Sequence, residues 1–147
     1  MLNELTVQAV LPVTDLDRAR EFYEGVLGFT PQVVLMSGCF YECGHGSRLA
    51  IANNGGTPDG EHTKVAFLAQ DVTAEVTALR ARGVVFEEYP DGPMPTVDGV
   101  ARRGPITGAW FKDSEGNLLG VLHLDTSQLS GDQLPAGREA ALALTGS

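Results

Sequence analysis

Side chains able to do chemistry are few and scattered along this 147-residue chain. Cys39, Tyr41, Cys43 and His45 alternate along "CFYECGHG", and a period of two puts them on one face of a strand. A thiolate and an imidazole two residues apart suit a thiophilic ion. Gly44 and Gly46 flank His45, however, so the strand is expected to turn there and leave the imidazole in water. His62 falls in the polar stretch "NNGGTPDGEHT" and is expected to be exposed. Lys64 and Glu42 are the residues to weigh for acid–base work. A lysine desolvated among apolar groups can act as base or Schiff-base nucleophile, and a carboxyl with a raised pKa as general acid or base. No paired carboxylates, nucleophile elbow or Cys–His motif accompanies them.

What must position these residues is one domain, long enough to bury a core. At 43% hydrophobic and 20% charged the composition is that of a globular protein, and no apolar run approaches the 18 or more residues of a membrane span. The 18 glycines favour short strands and tight turns. No basic, then apolar, leader opens the chain, and Cys39 and Cys43 on one strand would stand ~13 Å apart, too far for a bridge. Both readings fit a cytoplasmic location. A net charge of −9 and a sequence pI near 4.6 argue against nucleic acid and anionic membrane as partners. They are compatible with a cationic small molecule, and equally with simple solubility.

The chain repeats itself. "QAVLPVTD" (8–15) and "KVAFLAQD" (64–71) share a spacing at an offset of 56, and Asp15 and Asp71 each suit the positive start of a helix. Thr14 and Asp17 form a weak capping box for the first helix. Leu16, Ala19, Phe22, Tyr23, Val26 and Leu27 give it a helical stripe ended by Gly28; Val72, Val76 and Leu79 do so for the second, ended by Gly83. At an offset of 70, "CFYECG" matches "AWFKDS" and "GSRLAIA" matches "GNLLGVL". Each half reads strand–helix–strand–strand–strand: module one about 5–53, a linker 54–63, module two about 64–123 and a tail 124–147. Within the tail, "REAALAL" suggests a short helix. The changed offset places a long Pro/Gly-rich loop over 89–107, able to cover a binding site, with Arg102, Arg103, Asp91 and Asp98 at the rim.

A doubled βαβββ unit carrying "VLPVTDLDRAREFYEGVLGF" and "AWFKDSEGNLLGVLH" resembles the vicinal oxygen chelate superfamily of glyoxalase I, bleomycin-resistance proteins, fosfomycin-modifying enzymes and extradiol dioxygenases, over about residues 5–123. The resemblance implies an α+β fold of two tandem modules forming an open barrel-like cup, paired as a homodimer. In the metal-dependent members a divalent ion sits in the cup, and the ligand positions carried over fall on Gln8, Lys64, Gly120 and Ala50. A catalytic zinc-type site needs about three His, Cys or carboxylate ligands and an open position. An ammonium has no lone pair, and Gly120 and Ala50 offer no side-chain donor. The expectation is therefore no metal and no cofactor.

Strand alternation then sorts the lining. Gln8, Arg48, Lys64, Leu122, Trp110 with its repeat partner Phe40, and Lys112 with its partner Glu42, are expected to face into the cup, and His123 away from it. Gly120 and Ala50 are expected to widen the floor. Two aromatics, small or aliphatic residues and a few charges suit a flat organic ligand with polar handles. The expected function is metal-free binding of a small molecule, as in the antibiotic-sequestering members, with Gln8, Phe40, Glu42, Arg48, Lys64, Trp110 and Leu122 as ligand-binding residues and none catalytic. The alternative is an enzyme: a metal-free cyclase, isomerase or lyase using Lys64 or Glu42, or a glyoxalase- or dioxygenase-type metalloenzyme.

Overall fold

The computed structural model describes residues 1–134, so the helix expected within 138–144 lies outside the described residues. Two mixed sheets form, each from one contiguous stretch. In the first, β1 (Gln8–Pro12), β2 (Pro31–Leu35), β3 (Gly38–Glu42) and β4 (Arg48–Ala52) lie in the order β1-β4-β3-β2. In the second, β5 (Thr63–Leu68), β6 (Thr96–Val97), β7 (Val100–Arg103), β8 (Ile106–Lys112) and β9 (Leu118–Leu124) lie in the order β5-β9-β8-β7-β6. β1 pairs parallel to β4 and β5 parallel to β9, as a helical crossover requires; the other pairs are antiparallel. The class is α+β, and the sheets do not close into a barrel.

Both crossover helices start where an aspartate supplies the cap. Asp15 Oδ1 accepts from the Arg18 N–H at 3.0 Å to open α1 (Leu16–Arg20), and Asp71 Oδ1 from the Ala74 N–H at 3.0 Å to open α2 (Val72–Ala81). Thr14 takes no part in a capping box: its hydroxyl donates to Glu115 instead. Past Arg20 the first helix widens over Glu21–Val26, so the Leu27 N–H reaches back to the Phe22 carbonyl. Gly28 and Gly83 then stop the two helical stretches in the left-handed region, at φ +82° and +96°.

The 89–107 stretch corrects the expectation of a long loop. Its middle is a hairpin: Val97 faces Val100 across Asp98–Gly99, both at positive φ (53° and 79°), the turn that matches strand twist. Thr96 fixes its base, accepting from the Tyr89 N–H (2.6 Å) and donating to Glu88 (2.9 Å). Arg80 on α2 donates to the Asp98 carbonyl and Arg102 to the Thr73 hydroxyl, each at 3.0 Å. The stretch therefore extends the second sheet and packs on α2.

The helix-side faces of both sheets share one core, with Leu11, Tyr41, Leu49 and Ile51 from the first and Ala109, Phe111, Leu119 and Val121 from the second. Rings cross between them: Tyr23 stacks on Tyr41 (6.1 Å) and Phe29 (6.0 Å), and Phe29 meets Phe67 (5.9 Å). A buried polar knot ties the β8–β9 turn to the first stretch. Asp113 Oδ2 accepts from the Tyr23 hydroxyl (2.7 Å) and Asn117 Nδ2 (2.9 Å), Oδ1 accepts two backbone N–H groups, and Asn117 Nδ2 also donates to the Pro12 carbonyl. Burial and the Asp113 charge push the Tyr23 phenol up, out of the normal titration range. Glu115, its side chain fully covered, accepts from Arg18 Nε at 2.7 Å and from the Thr14 and Asp15 N–H groups. The Arg18 hydrogen bond, aided by those backbone donors, lowers its carboxyl to about 2.

Candidate functional site

With the helix-side faces buried, the opposite face of each sheet is left open, and the expected lining divides between the two. On the first sheet Gln8, Arg48 and Glu42 stand side by side across β1, β4 and β3. Gln32 on β2 bridges two of them, donating to Glu42 Oε2 at 2.6 Å and accepting from Arg48 at 3.2 Å. The next row is apolar: Val10, Ala50, Phe40 and Val33, with Val10 54% exposed.

The second sheet repeats these rows with different contents. Thr63, Leu118 and Lys112 form the outer row, and Ala66, Gly120 and Trp110 the inner one. The register shifts between Thr63 and Val65, so Lys64 is the extra residue of a bulge, and Thr63 takes the place corresponding to Gln8. This corrects the expectation for Lys64. Its ammonium turns back to the linker and sits on both oxygens of Asp59, each at 2.9 Å. That bond is the first cause holding the Asp59 carboxyl below its ordinary range.

Trp110 lies along the floor. A Cβ at Gly120 would stand 3.2 Å from its Nε1, and one at Gly108 3.0 Å from the far edge of the indole and 2.7 Å from Leu122 Cδ2. Gly120 therefore does not widen the floor, as the sequence suggested; it and Gly108 make room for the ring, and Leu122 leans over Gly108 beside it. Tyr89 meets the indole edge to face at 6.1 Å. Among the described residues the indole N–H has no protein acceptor. No hydrogen bond, ion pair or ring contact joins Gln8, Phe40, Glu42 and Arg48 to Lys64, Trp110 and Leu122 among the described residues. A single chain keeps the two groups on separate faces.

The four positions at which the resemblance puts metal ligands carry an amide, an ammonium already held by Asp59, a buried methyl and a glycine covered by Trp110. This set does not fit a divalent ion. Elsewhere, Cys39 is buried on β3, Cys43 lies past its end with its thiol pushed up by burial, and His45 occupies a turn at φ 57°. His123 points to the helix side, bonded to the Ala69 carbonyl at 2.9 Å. No group of three or more His, Cys, Asp or Glu side chains among the described residues could hold a metal ion.

Three neighbours escaped the sequence reading. Tyr89 is far from Trp110 in the chain and follows no periodicity. Gln32 sits at a β2 irregularity that reverses its phase, and Asp59 in a linker with no regular structure.

Residues 6–121 match the family model of the glyoxalase/bleomycin resistance protein/dioxygenase superfamily. The chain belongs to that superfamily. No match was found among curated protein sequences. Solved structures of the glyoxalase fold resemble it at low identity. A glyoxalase/bleomycin resistance protein/dioxygenase from Alicyclobacillus acidocaldarius has a TM-score of 0.62 at 16% identity, covering 86% of this chain and 96% of the other. A lactoylglutathione lyase from Agrobacterium tumefaciens gives 0.58 at 22%, covering 81% and 92%. TnmS3, an antibiotic binding protein from Streptomyces sp. CB03234, gives 0.57 at 21%, covering 82% and 95%. At these identities the likeness is one of fold. Members of this superfamily fold thus include both a binder and a lyase, and the residues on the open faces must decide between them.

Proposed function

We propose that this glyoxalase-superfamily protein binds a small, flat organic molecule without a metal; an antibiotic binding protein shares its fold. The observation that carries the reading is Trp110, an aromatic platform laid over Gly108 and Gly120 at a place where a metalloenzyme of the family would need a ligand. A half-buried indole with an unpaired N–H offers a stacking surface and one hydrogen bond. Phe40 and Val10 offer a second apolar surface, with Gln8, Arg48 and Glu42 along its edge. The complete pocket forms in a homodimer, where the first sheet of one protomer faces the second sheet of its partner. Lys64, clamped by Asp59, then fixes the linker beside the pocket rather than touching the ligand first.

The enzyme reading has less support. A Lys64 base or nucleophile would first have to leave Asp59, and Glu42 already accepts from Gln32. Turnover separates the two. Titrating aromatic, antibiotic-like compounds against the fluorescence of the single tryptophan should give saturation at one ligand per site with the compound recovered unchanged. Consumption of an excess would replace this reading with the enzyme.

A further inference from the structure

The seam between the two halves of the chain holds a cavity that the open-face pocket does not use. It has a volume of about 240 Å³ and lies on the helix side of the second sheet. Phe67, Phe111 and Val121 of the second sheet, Leu79 of α2, and Leu27 and Phe29 from the end of the first helical stretch line it. Its one charged group is Glu75, on the exposed side of α2, which has no ion-pair partner among the described residues.

We infer that this seam cavity is a second binding site, for an arylalkylammonium. An apolar cavity of ~150 Å³ takes one benzene ring, so this one takes a ring with a short chain. Phe29, Phe67 and Phe111 in its lining supply apolar surface that buries the ring of the ligand. A carboxylate without a basic partner at the lining, in a chain of net charge −9, selects an ammonium over a carboxylate tail. Because the walls come from both halves of the chain, an occupant also bridges them.

The test uses 2-phenylethylammonium as probe, with 2-phenylethanol and 3-phenylpropionate as neutral and anionic controls. Calorimetric titration of the full chain should give a saturable Kd on the order of 1 mM for the amine. The alcohol should bind about fivefold more weakly, the acid more weakly still, and Glu75→Gln should bring the amine down to the alcohol. Leu79→Trp, which fills the slot, should abolish binding. Should that variant misfold, nuclear Overhauser contacts in the unaltered protein decide: the probe ring should contact the Leu27, Leu79 and Val121 methyls. Contacts confined to Leu118 and Leu122, equal affinity for amine and alcohol, or no saturation below about 20 mM would each overturn the inference.

Discussion

The two open faces are built on the same rows of a ladder, with an aromatic on each inner row and different outer rows, Gln8, Arg48 and Glu42 against Thr63, Leu118 and Lys112. On the first sheet the outer row is polar (Gln8, Arg48, Glu42) and the inner row small and apolar, with Phe40 beside Ala50. On the second sheet the inner row holds Ala66, Gly120 and Trp110, and the extra residue Lys64 is bound to Asp59 of the linker. The helix sides of the same strands do not differ this way: Tyr41 and Phe111, Leu49 and Leu119, Ile51 and Val121 are matched apolar pairs in one core. The repeat thus governs backbone, caps and core. What distinguishes this protein lies on the faces the repeat leaves free.

One buried polar knot joins the two halves. The residues that look most like a motif, Asp113, Glu115 and Asn117, hold the second sheet to the first stretch of chain. Asp113→Ala would strip acceptors from the Tyr23 hydroxyl, Asn117 and two backbone N–H groups, and should cost about 3 kcal/mol or more. The urea midpoint should fall with an unchanged slope, whereas a loss under about 1 kcal/mol would mean that the knot is replaceable.

A sharper test concerns the faces. Trp110→Ala should weaken ligand binding by at least about tenfold, Phe40→Ala by less, and Arg102→Ala, whose guanidinium is engaged by Thr73, hardly at all. Equal losses for Trp110 and Arg102 would remove the platform from the account.

Acid reaches the knot through Glu115. The folded Glu115 carboxyl titrates at about 2, below its ordinary value of 4.5. Being depressed, it contributes stability that is present above the unfolded value and lost as pH falls through the folded one. The Glu115 contribution should therefore disappear between about pH 4.5 and pH 2, and Glu115→Gln should flatten that part of a pH series of melting curves. The smallest effect belongs to Glu42→Gln, an exposed carboxylate bonded to Gln32, which should change stability by less than about 0.5 kcal/mol.

The fold was legible because its signals are local and doubled. Asp15 and Asp71 cap, Gly28 and Gly83 stop, and alternation assigns Leu49, Ile51, Leu119 and Val121 to the core side. The hairpin inside 89–107 was missed: Asp98–Gly99 between valines is its signal, but the surrounding prolines and glycines read as a loop. The site was legible only in part. Alternation placed Gln8, Phe40, Arg48, Glu42 and Trp110 on open faces, yet one extra residue at Lys64 defeats a period of two. Nor does a period report packing: that Gly120 accommodates an indole depends on the χ angles of a residue one strand away.

Trp110, with glycine and lysine where ligands would stand, makes a binder that works without a metal. The measurement that decides this is metal content per protomer, by plasma mass spectrometry, before and after incubation with zinc, manganese, iron and nickel and dialysis. A metal-free binder should hold less than about a tenth of an equivalent throughout, with ligand binding undiminished. A stoichiometric ion that survives dialysis and is lost on changing Gln8 would contradict it and put the metalloenzyme in its place.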